Sequence, residues 1–198
     1  MENRIKLILL LFICIAVWPA GSRQQPEEET MKEIEIFDFS RMKDSDNWII
    51  INDTVMGGAS DSEFIIRGDS IAVFRGTVSL ENYGGFASVR TVPGNYNLKE
   101  YDGISLSVRG DGENYYFRLE TDNTWRGVGY QSPFETTADR WITVNIPFSE
   151  FSASFRGSKL REAPELNPGR IGSFGILISD SQEGPFRLEI DRISAYSK

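Results

Sequence analysis

The chain has 198 residues, with 21 lysines and arginines against 29 aspartates and glutamates, a formal net charge of −8, no histidine and one cysteine, Cys14. Without histidine there is no Ser-His-Asp triad and no histidine-ligated zinc, and one cysteine forms no intrachain disulfide. An acidic balance also opposes nucleic-acid binding, which needs a basic stripe to neutralise phosphates.

Taken in chain order, residues 1–22 read as an export signal. Arg4 and Lys6 form a positive start, Leu7 to Trp18 is continuously apolar, and Ala20 and Ser22 supply the small residues of a cleavage site after Ser22. The apolar stretch falls short of the ~20 residues that span a bilayer. The processed chain is therefore expected to be exported, periplasmic or secreted, and not membrane-spanning. Cleavage would also remove Cys14 and with it any thiolate nucleophile or metal ligand. Residues 23–33 read as a polar linker, since Gln24-Gln25-Pro26-Glu27-Glu28-Glu29-Thr30 cannot bury a core.

Residues 34–198 change character. Short alternating or apolar runs predict strands at Ile34–Phe39, Trp48–Asn52, Glu63–Arg67, Ile71–Val78, Phe86–Thr91 and Ile104–Arg109. Further strands are expected at Tyr115–Thr121, Val128–Phe134, Trp141–Ile146, Phe174–Ile178 and Phe186–Tyr196. Gly, Asn, Asp and Pro fill nearly every gap, and no segment keeps a helical period for three turns. The pattern is that of a single all-β sandwich or barrel. One tetrapeptide occurs twice: Phe117-Arg118-Leu119-Glu120 and Phe186-Arg187-Leu188-Glu189. Each copy follows a Gly-containing turn, so the two hairpins are expected in related places of opposing or neighbouring sheets.

The junction Trp48-Ile49-Ile50-Ile51-Asn52-Asp53-Thr54-Val55-Met56-Gly57-Gly58-Ala59-Ser60 combines a β-branched run with residues that bond locally and glycines that widen backbone choice. With it go Gly76, Asn82-Tyr83-Gly84-Gly85-Phe86-Ala87-Ser88-Val89-Arg90, Leu98-Lys99-Glu100-Tyr101-Asp102-Gly103-Ile104 and Arg109-Gly110-Asp111-Gly112. Trp141, Ile146-Pro147-Phe148, Phe151, Arg156-Gly157 and Gly184-Pro185-Phe186-Arg187-Leu188-Glu189-Ile190-Asp191 complete the set. In this order the segments resemble the complex I intermediate-associated protein 30 family over Phe37 to Tyr196. The resemblance implies a galactose-binding-type jelly-roll β-sandwich and a non-catalytic role, since mitochondrial members help assemble respiratory complex I. The export signal sets this chain apart, and the expected protein partner belongs to an envelope or extracellular assembly.

Two groups of residues are candidates for binding. In the junction, Asn52, Asp53 and Ser60 offer polar groups around a backbone that Gly57 and Gly58 keep bare, and Met56 offers a flexible apolar contact. Equally, Asn52 and Asp53 can satisfy the turn's own N–H groups while Met56 fills the core. The second group is Trp125, in a polar loop, with Arg118, Tyr130 and Gln131 on adjoining strands expected to line the same sandwich face. An indole beside polar side chains suits a sugar ring, so a carbohydrate-binding module is the alternative to a chaperone-like assembly factor. Asn52-Asp53-Thr54 is also a glycosylation sequon, discounted in a packed turn.

Enzyme and metal chemistry have weaker signals. Glu120 with Asp122, and Glu189 with Asp191, each share a strand face at ~7 Å, a spacing glycosidase carboxylates use. Such pairs arise readily in an acidic chain, and no enzyme activity is expected. Asp38, Glu189 and Asp191 are too few oxygen ligands for calcium. No metal and no cofactor are expected.

Overall fold

The computed structural model describes residues 32–40, 42–121, 128–155 and 158–198. Among the described residues, thirteen strands form two antiparallel sheets and no α-helix occurs. The first half holds β1 (Lys32–Phe37), β2 (Trp48–Ile50), β3 (Asp61–Ile66), β4 (Ala72–Val78), β5 (Ala87–Thr91) and β6 (Gly103–Arg109). The second holds β7 (Asn114–Thr121), β8 (Gly129–Glu135), β9 (Trp141–Pro147), β10 (Ser152–Phe155), β11 (Ser158–Lys159), β12 (Ile171–Ile178) and β13 (Gly184–Ser197). One sheet runs β3-β4-β13-β6-β9 with β1 added on β13, and the other runs β11-β10-β8-β7-β12-β5-β2. Sequence neighbours are often not sheet neighbours, as the expected jelly-roll sandwich requires.

Alternation in the sequence becomes the two faces of each sheet. On β7, Tyr115, Phe117 and Leu119 are fully buried while Tyr116, Arg118 and Glu120 face outward. On β13, Phe186, Leu188 and Ile190 enter the same core. Aromatic rings lock the sheets together across the middle. Trp48 of β2 stacks on Phe64 of β3 at 4.7 Å between centroids, and Phe37 of β1 meets the edge of Phe174 of β12 at 5.6 Å. The two Phe-Arg-Leu-Glu copies thus lie in opposing sheets, each with Phe and Leu inward.

Some strand limits differ from those the sequence predicts. β1 ends at Phe37 rather than Phe39, because Phe39 takes a positive φ of 53° and turns its ring into the core. β2 stops at Ile50, where the chain enters a tight 3-10 turn at Asp53–Met56. β10 and β11 are unforeseen: Ser152-Ala153-Ser154-Phe155 and Ser158-Lys159 carry little apolar signal, and they form the sheet's edge.

Phe174, wholly buried, touches Phe37, Tyr96 and Phe117. Phe174→Ala should cost about 4 kcal/mol of stability, read as a lower urea midpoint.

Candidate binding cleft

The junction after β2 is built around one carboxylate. Asp53 is fully buried. Its Oδ1 accepts from the Ser60 amide at 2.9 Å, and its Oδ2 accepts from the Ser60 hydroxyl at 2.5 Å, the Gly85 amide at 2.6 Å and the Phe86 amide at 3.2 Å. Burial alone would push the carboxyl up, but the Ser60 hydroxyl and the Gly85, Ser60 and Phe86 amides outweigh it and hold it below the ordinary aspartate value. Two glycines make the approach possible, because a Cβ at Gly58 or Gly84 would collide with the Asp53 carboxyl group. Gly57 supplies the left-handed turn at φ 92°. Ser60 passes the link onward by accepting from the Ser79 amide at 2.9 Å. One side chain therefore ties residues 53–60 to residues 79–86.

Asn52 and Ser60 are internal as well. Asn52 is buried and accepts from the Ser62 hydroxyl at 2.8 Å. Asp53, Ser60 and the Asn52 side-chain oxygen thus spend their bonds on the protein itself. Met56 does the opposite of filling the core: it stands 65% exposed beside Val55 at 68%.

Met56 overhangs a cleft of about 270 Å³ on the outer face of the seven-stranded sheet. Phe86, Tyr116, Arg118, Gln131, Leu177 and Asp180 line it with Met56. Register explains the assembly. Gln131 of β8, Arg118 of β7, Gly175 of β12, Arg90 of β5 and Ile49 of β2 form one cross-strand row. Gly175 leaves a notch in that row, with the Arg90 and Arg118 side chains on either side: a Cβ there would meet the Arg90 Cβ at 3.3 Å and the Arg118 Cβ at 3.6 Å. A second depression of about 220 Å³ shares Phe86 and Arg118 with the first and adds Arg90, Glu120, Ser173 and Gly175. The two candidate groups of the sequence thus meet at one place, through Met56, Arg118 and Gln131.

Polar groups in the cleft differ in how well they are matched. Tyr116 donates to Asp180 at 2.7 Å, and that bond raises its phenol above the ordinary tyrosine value. Gln131 accepts from the Ser154 hydroxyl at 3.1 Å. Glu120 accepts from Arg90 at 3.0 and 3.3 Å and from the Ser173 hydroxyl at 3.2 Å. The Arg118 Nε–H is sealed from solvent and meets no acceptor. Burial draws the Arg118 guanidinium below the ordinary arginine value, with Glu120 opposing the shift and Arg90 adding to it.

Other expected residues lie elsewhere. Tyr130 faces the interior, donates to the Pro164 carbonyl at 2.9 Å, and lines a separate cavity of about 410 Å³ with Phe148 and Leu160. Its neighbour Leu119 is a core residue, so β8 alternation turns Tyr130 away from the cleft. Trp125 and Asp122 lie outside the described residues. Glu189 is buried among Arg67, Arg109 and Arg187. Burial pushes its carboxyl up, but Arg187 and Arg109 more than reverse this and keep it ionised. Asp38 accepts from the Ser40 amide at 3.1 Å. No group of three or more acidic, histidine or cysteine residues placed to hold a metal occurs among the described residues.

Residues 37–190 match the family model for complex I intermediate-associated protein 30. The chain belongs to this family. It is 28% identical to the mitochondrial complex I intermediate-associated protein 30 of Mus musculus, across 89% of this chain and 61% of the relative. The mitochondrial relative of Drosophila melanogaster is 26% identical, across 80% and 61%. An uncharacterized protein of Schizosaccharomyces pombe is 33% identical, across 75% and 77%. The match thus spans about three-fifths of the mouse and fly proteins. Among solved structures, the family 11 carbohydrate-binding module of Clostridium thermocellum has a TM-score of 0.62 at 16% identity, covering 83% of this chain and 95% of the module. An agarase matches over 84% of this chain and 24% of its own, with a TM-score of 0.60 and 11% identity. These likenesses bear on the fold, a galactose-binding-like jelly-roll sandwich.

The relatives correct one expectation. The mouse and fly family members are named mitochondrial, which overturns the placement of this chain as periplasmic or secreted. The export-signal reading of residues 1–22 and the envelope setting of its partner lose their support with it. A positive n-region and an apolar run describe a leader in general terms, and no helix among the described residues is long and apolar enough to cross a membrane.

Asp53→Asn should lower stability by about 3 kcal/mol at pH 7, since an amide cannot accept from all four donors. The folded carboxyl titrates below the unfolded one, so its stabilisation is complete above about pH 5 and is lost as pH falls from about 4 through the lower folded value. Denaturant titrations across pH should show the gap between wild type and Asp53→Asn closing in acid.

Proposed function

We propose that the chain is a non-catalytic binding module that holds a protein partner during assembly of a larger complex, as the names of its mitochondrial relatives suggest for them. One observation carries this reading. The two loops joined by Asp53 expose an apolar rim beside the cleft: Val55 and Met56 on one, and Leu80 at 40% and a fully exposed Tyr83 on the other. Exposed apolar side chains scattered singly are ordinary, but here they gather on two stapled loops. Anchoring by Asp53 orders both loops in advance, which reduces the entropy lost on docking. Met56 and Tyr83 are residue types that partner surfaces favour. The absence of enzyme activity is part of the same proposal: Glu120 and Glu189 are bound to arginines rather than poised as an acid and a base.

Crosslinking with mass spectrometry in the native cell tests it. Wild type should capture a recurrent partner, and Val55→Asp with Met56→Asp should reduce capture at least about tenfold at unchanged melting temperature, as expected for central contact residues. Undiminished capture by the folded variant would remove the rim from the interface.

A second reading is a carbohydrate-binding module. It is favoured by the cleft's side-chain amide, phenol, carboxylate and guanidinium, from Gln131, Tyr116, Asp180 and Arg118, on the outer face of the sandwich. The related Clostridium module was solved in complex with a β-1,3-1,4-mixed-linked tetrasaccharide. Titration with that tetrasaccharide should then shift tryptophan emission in wild type and leave Trp125→Ala and Gln131→Ala unresponsive; no response in wild type would count against this sugar class.

A further inference from the structure

The two Phe-Arg-Leu-Glu copies differ in what their arginines do. On β13, Arg187 bonds Glu189 two residues on, and Arg67 and Arg109 complete the charge set. On β7, the equivalent Glu120 reaches instead across β12 to Arg90 and Ser173. Arg118 lines the open cleft, and its Nε–H, closed to solvent, meets no acceptor within the protein. A guanidinium stays charged at any ordinary pH and carries five donors in a planar fork. Withdrawing it from water without an anion is unfavourable, and a carboxylate is the acceptor that matches its fork. Two glycines leave room for the side chain. A Cβ at Gly129 would meet its Nη2 at 3.1 Å, so glycine at 129 keeps space for the guanidinium, and Gly175 does the same for its stem.

We infer that Arg118 receives a carboxylate from a partner polypeptide, the acidic side chain of a segment whose neighbouring apolar residues lie along Met56, Phe86 and Leu177. This rests on the protein-binding reading and adds the partner's chemistry. The apolar lining decides between sources of carboxylate. Met56, Phe86 and Leu177 line the cleft with Arg118, and Val55, Leu80 and Tyr83 are exposed on the two loops that bear Met56 and Phe86. A sugar acid would satisfy the arginine and leave that surface wet. A peptide with an acidic residue between apolar ones satisfies both. Burial draws the guanidinium below its ordinary value, and an incoming carboxylate would oppose that shift as Glu120 already does.

Selection of random 12-residue peptides displayed on phage tests the inference. Peptides retained by wild type should be enriched in Asp or Glu flanked by apolar residues. A synthetic peptide from that set should weaken about tenfold or more when its acid becomes Gln, the loss of a charge-assisted bidentate contact. Arg118→Gln should bind the acid and amide forms equally, and Arg118→Lys should retain a reduced preference for the acid. The acid-against-amide comparison on wild type stands even where Arg118→Gln fails to fold. Retained peptides without acidic enrichment, equal binding of both forms by wild type, or an acidic preference surviving Arg118→Gln would each overturn the carboxylate role while leaving protein binding intact. Binding of oligoglucuronate, lost in Arg118→Gln with no peptide retained, would overturn the polypeptide source. No retention of any probe would overturn this inference together with the rim it rests on.

Discussion

A buried carboxylate has to be satisfied, and meeting that requirement at Asp53 organises the whole end of the sandwich that carries the cleft. Four donors converge on it from Ser60, Gly85 and Phe86. Backbone from two separate segments must come within contact distance, so glycines occupy positions 58 and 84. Ser60, turned inward to donate to Asp53, also accepts from Ser79. The loops that result cannot drift independently. What they expose, Val55 and Met56 on one side and Leu80 and Tyr83 on the other, follows from what they bury.

The cleft depends on the opposite economy, the omission of atoms. β12 is the floor of the outer face, and its outward positions carry Ser173, Gly175 and Leu177 between the longer side chains of β5 and β7. Arg90 and Arg118 rise on either side of Gly175. Glu120 spans the strand to neutralise one of them. The six-stranded sheet handles the same tetrapeptide differently: Glu189 lies almost fully covered and gathers Arg67, Arg109 and Arg187 around itself. Arg109 in turn lies over the Trp141 ring at 5.2 Å. One outer face closes its charges on one another, while the other keeps a guanidinium in reserve.

Much of the fold was legible because period-two alternation is strong where strands are long. β7 and β13 announce their inward Phe and Leu plainly, and both appear where expected. β10 and β11 were missed because Ser-Ala-Ser-Phe and Ser-Lys bury little and pair at an edge. At the site, the sequence reading put Arg118, Tyr130 and Gln131 on one face, but adjacent residues of a strand face opposite ways, and Tyr130, next to Gln131, points in. The role of Asp53 was ambiguous from sequence because its donors at 85 and 86 lie more than thirty residues away along the chain. Asp180, brought to Tyr116 by the β12–β13 turn, left no local signal at all. Residues 1–22 misled for a different reason, since a basic start and an apolar run carry no destination of their own.

Alternation along β7 also separates two kinds of inheritance. Tyr115, Phe117 and Leu119 belong to the core, where any change of volume is felt by both sheets. Tyr116, Arg118 and Glu120 share the same strand and the same backbone bonds, yet a substitution among them redraws the cleft and leaves the core filled. A lineage can therefore exchange one ligand for another through every second residue without renegotiating its architecture. A solved carbohydrate-binding module has a similar fold at 16% identity, so the sandwich tolerates wide change in sequence as long as its interior stays filled.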